Sequence, residues 1–369
     1  MSGTVAIVVF FTGLLFIILI HEAGHYLVAR AYGFKVEEYF VGFGPKIWSF
    51  RRNDIEYGVK ALLLGGYVKI VGMNPYEPVP SEDLHRSYGA KPIRQRALVI
   101  LAGPLSHFLV AWLIFAGVFM FSSNWNVPGI VGVTQTMDGK PSPASVAGIQ
   151  AGDVIERIGD LDQPTRDQIG TYQAAHVGEP ITYVVDRDGQ QVTLTMTPVE
   201  TTLKDGTKVI RVGIELSGVK EPPLVAFAHA GGQVWDTTVA AVGGLARVFG
   251  PSGVHSMLDS LFGGAPRNGD GAVSLYGASA AAGHAGQQGA WAYFFSLFAT
   301  VVLFIGLVNL LPLPPLDGGH VAIALIEKVR GHAIDMKKVV PVSAAVLLIL
   351  GFFSISAIIL DIWKPIPNT

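Results

Sequence analysis

The chain has 369 residues, of which 50% are hydrophobic and 15% charged, against about 25% charged in an ordinary soluble domain, and its mean hydropathy is +0.45; a soluble globular enzyme is excluded. The 26 basic and 28 acidic residues leave a net charge of −2 with the signs interspersed, so there is no basic face for nucleic acid. With no cysteine, a disulfide framework, a zinc–thiolate site and a thiol nucleophile are all excluded, and any catalytic metal must rest on His and carboxylate groups.

Four stretches lack Asp, Glu, Lys and Arg altogether: 1–20, 97–121, 290–316 and 339–360. Each reaches the roughly 18 residues that a membrane-spanning helix needs, which predicts four transmembrane helices. The first has no basic n-region and no small-residue cleavage site, so it is expected to stay on the mature protein rather than leave as a signal peptide. It runs directly into His21-Glu22-Ala23-Gly24-His25. Histidines four apart lie on one helical face, so both imidazoles can reach one Zn²⁺ while the intervening Glu serves as a base for the attacking water. Two histidines and a glutamate at the membrane are costly to bury, and intramembrane ionisable residues point to function. The plainer alternative is that His21 and His25 only begin the aqueous interface.

The loop that follows, 28–96, is rich in Lys and Arg from Arg30 to Arg96, and the last loop carries Lys328, Arg330, Lys337 and Lys338. The N-terminal tail has no basic residue. Positive charge collects on the cytoplasmic side, so both loops are expected there, with both termini and the long 122–289 segment opposite.

Within that segment, 127–200 alternates in strand fashion, as in Ile181-Thr-Tyr-Val-Val, with a turn at Arg187-Asp-Gly-Gln, which predicts a small α+β domain. Residues 203–216 predict a hairpin around Asp205-Gly206. From Pro222 to Phe249, apolar positions such as Leu224, Phe227, Val234, Trp235, Val242 and Leu245 recur at helical steps. One helical face is therefore greasy, and it suits either the outer membrane surface or packing on the spans. Residues 250–289 hold ten glycines, which predicts loops and short helices. No internal repeat is visible.

The third span ends in Asn309-Leu-Leu-Pro-Leu-Pro-Pro-Leu-Asp317-Gly-Gly-His320. A catalytic zinc uses three protein ligands and keeps one position open, so the two histidines leave it one short. Asp317 is the sole acidic residue directly following this span. It could be a helix N-cap after a proline break, although that would not explain a carboxylate at the depth of the histidine pair.

Taken together, the motifs resemble the site-2 protease class of intramembrane zinc metalloproteases, and within it the bacterial regulators of sigma-E protease type. The resemblance covers nearly the whole chain. It rests on His-Glu-Ala-Gly-His, on Gly42-Phe-Gly-Pro-Lys-Ile and Gly65-Gly-Tyr-Val-Lys in the first loop, on Ala102-Gly-Pro-Leu-Ser in span 2, and on the Asn309 to His320 run. Two departures stand out. His107 stands near the position where span 2 of the family usually carries Asn, and Ala61-Leu-Leu-Leu lacks the proline that commonly precedes the paired glycines.

The resemblance implies one Zn²⁺ per chain held by His21, His25 and Asp317, with Glu22 as general base. It makes Asn309 a binder of substrate backbone, and Gly65, Gly66, Tyr67 and Val68 part of a β-hairpin loop dipping toward the membrane. An edge strand there could hold an unwound substrate by strand addition. His107 is not named a ligand. Residues 127–200 resemble a PDZ domain of bacterial protease type through Ser142-Pro-Ala-Ser-Val-Ala-Gly-Ile-Gln-Ala-Gly-Asp, with a peptide groove expected along the edge at Ile130, Val131, Gly132 and Val133. This domain would act as a sieve that admits substrates already trimmed outside, or as a passive spacer.

The expected whole is a polytopic α-helical membrane protein with four transmembrane helices, a membrane-associated β-hairpin loop and an inserted extracytoplasmic PDZ domain. Its segments are 1–121, 127–200, 201–289 and 290–369. It would sit in a bacterial inner membrane, contact lipid, and make the second cut in a single-span substrate such as an anti-sigma factor. The rivals are an inactive PDZ-bearing adaptor with a structural zinc, which would need a fourth protein ligand such as His320, and a proton-relay transporter, which would need inverted repeats.

Overall fold

The computed structural model describes residues 2–74, 76–122, 124–202, 208–263, 273–332 and 334–364. Two compact units divide the chain: residues 1–115 with 229–369, and residues 116–228.

Helix α1 (Gly3–Ala31) begins the first unit. Its buried residues Ala6, Phe10, Leu14, Ile17, His21, His25 and Ala29 recur every three or four positions, so one stripe turns inward and carries both histidines with it. The helix runs on through His21-Glu22-Ala23-Gly24-His25, as the spacing of the two histidines on one helical face requires.

Strands β1 (Val36–Arg52) and β2 (Ile55–Ile70) follow, joined by a tight turn in which Asn53 and Asp54 have φ of 50° and 62°. Both strands bend: Phe40 pairs with Gly58 and with Tyr67, and Val41 with Val59 and with Gly66. The two long strands therefore lie as four segments, in the order 46–52, 55–60, 36–43 and 66–70. Gly42, with φ of 87°, makes the bend; a Cβ there would stand 2.8 Å from the Leu62 carbonyl oxygen. Segment 66–70 has β1 on one side and, among the described residues, no strand on the other.

Helix α2 (Ile93–Phe121) leads into the second unit. There β3 (Asn124–Val133), β4 (Thr136–Met137), β5 (Lys140–Pro141), α3 (Pro143–Ala147), β6 (Val154–Ile158) and β7 (Leu161–Asp162) precede α4 (Arg166–Ala175). They are followed by β8 (Ile181–Arg187), β9 (Gln190–Met196), β10 (Val199–Thr202), β11 (Lys208–Arg211) and β12 (Ile214–Val219). The main sheet runs β12-β3-β6-β8-β9, with β7 beside β6, around a core of Ile130, Ile155, Ile158, Ile169, Tyr183, Val185, Met196 and Val212.

Two expectations change here. The domain extends beyond 200, because Ile214 pairs with Val133 and Leu216 with Ile130; a strand drawn from fourteen or more residues downstream leaves no periodic mark at its partner. For the same reason β3 is an interior strand, not the sheet edge expected of a groove. The hairpin beyond 200 is present as β10 against β11, Val199 opposite Arg211 and Thr202 opposite Lys208; Asp205-Gly206 lies outside the described residues.

The chain then forms α5 (Pro223–Phe249), α6 (Pro251–Phe262), α7 (Leu275–Gln287), α8 (Trp291–Asn309), α9 (Asp317–Arg330) and α10 (Val339–Trp363). Helices α1, α2, α8 and α10 are long and apolar enough to cross a membrane. The Ala, Gly and Ser of α7 pack it on α1: Ala278, Ala282 and Ala285 share a core with Ala6, Phe10, Leu14 and Ile17, closed by Phe294, Phe298 and Val302 of α8.

Span 3 stops at Asn309, seven residues before the expected 316. Pro312, Pro314 and Pro315 lack the amide donors that a continuing helix requires. The 310–316 turn instead folds onto the first turn of α9. A Cβ on Gly318 would lie 2.1 Å from the Leu310 carbonyl oxygen, and one on Gly319 would lie 2.3 Å from the Pro314 nitrogen, so only glycine fits at either place.

Candidate metal centre

Helix α1 and the first residue of α9 bring three donor atoms together. His21 Nε2 lies 3.1 Å from Asp317 Oδ2, His25 Nε2 lies 3.5 Å from the same oxygen, and the two Nε2 atoms are 3.1 Å apart. Ligands about 2.0–2.1 Å from a tetrahedral zinc stand about 3.3 Å from one another, so this triangle has the dimensions of one face of such a shell. Among the described residues, His21, His25 and Asp317 are the only group of this kind, and neither His320 nor any other carboxylate completes it to four. The donor set fits a metal with an open position.

Close helix contact makes the triangle possible. Gly24, inside the His-Glu-Ala-Gly-His motif, faces α2, where a Cβ would stand 2.5 Å from the Ala102 carbonyl oxygen. Across from it, a Cβ on Gly103 would stand 2.3 Å from His25 Nε2 and 2.9 Å from His21 Cε1. The Ala102-Gly103-Pro104 motif is thus the wall against which both imidazoles rest. His25 Nδ1 donates to the Val99 carbonyl at 2.8 Å. A carbonyl only accepts, so His25 carries a proton on Nδ1, and in the neutral ring its Nε2 lone pair faces Asp317.

Glu22 projects from the adjoining part of α1 toward β2. A Cβ on Gly66 would lie 3.0 Å from Glu22 Cγ and 3.1 Å from the Phe40 carbonyl oxygen, and the Val68 backbone hydrogen bonds to the Glu22 carboxylate. The segment containing Gly65, Gly66, Tyr67 and Val68 therefore borders Glu22 along its unpaired edge. Tyr67 is anchored on the far side. Its hydroxyl donates to Glu38, and its ring stacks on Phe40 and Phe43 at 5.8 and 6.3 Å. Burial, then the Glu38 bond, raises its phenol above the ordinary range.

Asn309 is the last residue of α8, half-buried and eight positions before Asp317. The expected groove residues fare differently. Ile130 is 1% exposed in the core of the second unit, and its N–H and carbonyl bond to Asp153 and Gly152. Gly132 and Val133 face β12, which leaves Val131 as the exposed member. Ile130 is a core residue because its side chain points to the inner face of the sheet, among Ile155, Ile158 and Val212, while β12 pairs with the backbone edge that a groove would need open.

Two contributors were not evident from the motifs. His107 is 1% exposed and bonds to His21; the sequence marked it only as a departure. Arg96, at the start of α2, meets Glu327 near the end of α9 at 2.9 Å, both side chains largely buried. Glu327 also accepts the Ile334 amide at 3.0 Å. A basic and an acidic residue 231 positions apart carry no sequence signal of their pairing.

Residues 9–352 match peptidase family M50. The chain is 30% identical to the zinc metalloprotease Rip1 of Mycobacterium tuberculosis H37Rv, with 99% of each covered. It is also 30% identical to the metalloprotease MmpA of Caulobacter vibrioides, covering 92% of this chain and 91% of the relative. Among solved structures, the PDZ domain of an SdrC-like protein from Listeria monocytogenes covers 25% of this chain and 90% of that chain, at 17% identity and a TM-score of 0.21.

Proposed function

The chain belongs to peptidase family M50 and is a zinc metalloprotease; from that premise we propose that it is an intramembrane endopeptidase that makes the second cut in single-span membrane proteins, such as an anti-sigma factor. The observation that carries this reading is the triangle of His21, His25 and Asp317, whose two histidines lie in a helix apolar enough to span a membrane.

In this reading His21, His25 and Asp317 hold one zinc ion per chain. When bound, the metal supplies a Lewis acid that polarises the scissile carbonyl and makes water a competent nucleophile near neutral pH. Glu22 takes the proton of the attacking water and returns it to the leaving amine. Gly66 keeps the space beside Glu22 clear. A helical substrate hides its carbonyls in internal hydrogen bonds, so it must open before attack, and the unpaired edge of residues 66–70 can receive the opened backbone by strand addition. Asn309, at the end of α8, binds substrate backbone. The three-donor set, with no fourth protein ligand among the described residues, supports a catalytic over a structural zinc.

We place the protein in a bacterial inner membrane, with the site toward the cytoplasm and the second unit, as a PDZ-type domain, outside. The direct test is Glu22→Gln in the full-length protein. It should stay folded and bind zinc as the parent does, yet fail to cleave a single-span substrate; turnover equal to the parent rejects Glu22 as the base.

A further inference from the structure

His107 lies in α2, one turn beyond Gly103, and its imidazole joins three helices. Its Nδ1 is 3.1 Å from the Val302 carbonyl oxygen of α8, and its Nε2 is 2.9 Å from His21 Nδ1 of α1. The ring meets that of His21 edge to face, centroids 5.0 Å apart. Space for it is cut from α8, where a Cβ on Gly306 would stand 2.6 Å from His107 Cβ.

The direction of each bond follows from what each atom can do. Val302 offers a carbonyl oxygen, which only accepts, so His107 must carry a proton on Nδ1. In the neutral ring Nε2 is then an acceptor, and the proton between the two imidazoles belongs to His21 Nδ1. That leaves His21 Nε2 as a lone pair directed at Asp317 Oδ2, 3.1 Å away. His25 reaches the same state independently, through the Val99 carbonyl. With both rings neutral, three acceptors converge, the arrangement in which a metal cation is held.

We propose that His107 is a positioning residue of the metal centre: it relays the Val302 carbonyl to His21 and fixes His21 in the tautomer that ligates zinc. A carboxylate or carbonyl usually serves as the outer partner of a metal-bound histidine; here an imidazole interposes between carbonyl and ligand. The proposal rests on the protease reading only in taking His21 as a ligand.

The chemistry separates three substitutions. In His107→Gln the side-chain oxygen can occupy the place of Nε2 and accept from His21. In His107→Asn the shorter amide can still donate to Val302 but does not reach His21. In His107→Leu both bonds are lost. Zinc affinity is measured on the purified full-length proteins in detergent, by competition with a chelator of known affinity, with thermal unfolding as the fold control. His107→Asn and His107→Leu are expected to bind zinc about 10–100-fold more weakly, while His107→Gln stays within a few-fold of the parent. A role in packing alone would lower the unfolding temperature of the zinc-free protein in step with the affinity, whereas loss of the relay in His107→Asn lowers affinity with zinc-free stability kept within a few degrees of His107→Gln. Parental affinity in His107→Asn, or a loss in His107→Gln as large as in His107→Asn, overturns the proposal and leaves the protease reading standing. Failure of the unaltered chain to bind zinc overturns both. Should His107→Leu be too unstable to purify, the Asn and Gln pair decides.

Discussion

Gly103 and His25 approach so closely that a methyl group on the glycine would sit 2.3 Å from the imidazole Nε2 and 2.5 Å from its Cε1. Gly103 lies inside helix α2, where alanine is favoured over glycine by about 1 kcal/mol on propensity alone. Gly103→Ala therefore sets a gain in helix stability against displacement of a ligand. The displaced imidazole should dominate the metal readout: zinc content well below one per chain and proteolysis reduced at least about 100-fold, with helical content preserved by circular dichroism. A zinc-loaded, active Gly103→Ala protein would show that the His25 ring has room the structure denies it.

Gly66 supports a separate prediction, because its close neighbours are Glu22 and the Phe40 carbonyl rather than the three donors. A Cβ would meet Glu22 Cγ at 3.0 Å and Phe40 oxygen at 3.1 Å, contacts tight enough to push the carboxylate aside. Gly66→Ala is expected to retain zinc but lose activity, about 10-fold or more, since small displacements of a catalytic group cost on that order. Gly66→Val should lose more. Zinc analysis and turnover on the same preparations check it. Loss of metal in Gly66→Ala would contradict the division of labour between β2 and the helix triangle.

How much of this was legible beforehand follows from what kind of pattern each feature leaves. The four spans announce themselves because length and absence of charge are local properties. His21, Glu22 and His25 are legible because their spacing matches one helical face. The end of α8 at Asn309 was overrun, since absence of charge counts Pro312 and Leu316 alike while helix continuation depends on amide donors. The doubled pairing of Phe40 and Val41, and the place of β12 beside β3, are non-local and leave no periodicity. Likewise α7 packs through small residues, which carry little amphipathic signal. His107 was visible as a residue out of pattern, but its meaning depends on Val302 and His21, two residues on other helices.

Arg96 and Glu327 tie the start of α2 to the helix whose first residue is Asp317. Their side chains are 13% and 12% exposed, and Arg96 also lies over the Tyr88 ring at 5.4 Å. Removing one partner of a pair this buried leaves the other charge uncompensated and costs about 3 kcal/mol. Arg96→Met and Glu327→Met should each lower the unfolding temperature. The double variant Arg96→Met with Glu327→Met should lose less than the two single effects added. Strict additivity in that cycle would show that the two side chains do not depend on each other.

In the second unit, Asp153 provides the pH-sensitive tie. Its side chain is 1% exposed and takes two bonds from Arg187, Nε to Oδ1 and Nη2 to Oδ2, each 2.7 Å, plus the Gln150 amide at 2.9 Å. Burial works against the ionised carboxyl, but the Arg187 bonds prevail and hold it below the usual carboxylate range. A group depressed in the folded state contributes its full stability above its unfolded value of about 3.9 and loses it as pH falls through the folded value. Amide hydrogen exchange at Val184 and Val185 of β8, corrected for the intrinsic rate, should therefore be steady from neutral pH down to about 5 and accelerate below about 4. Asp153→Asn should exchange faster at neutral pH, because the Arg187 guanidinium loses its counter-charge, and should show a shallower acid dependence. An acid dependence as steep in Asp153→Asn as in the parent would assign the sensitivity to other carboxylates.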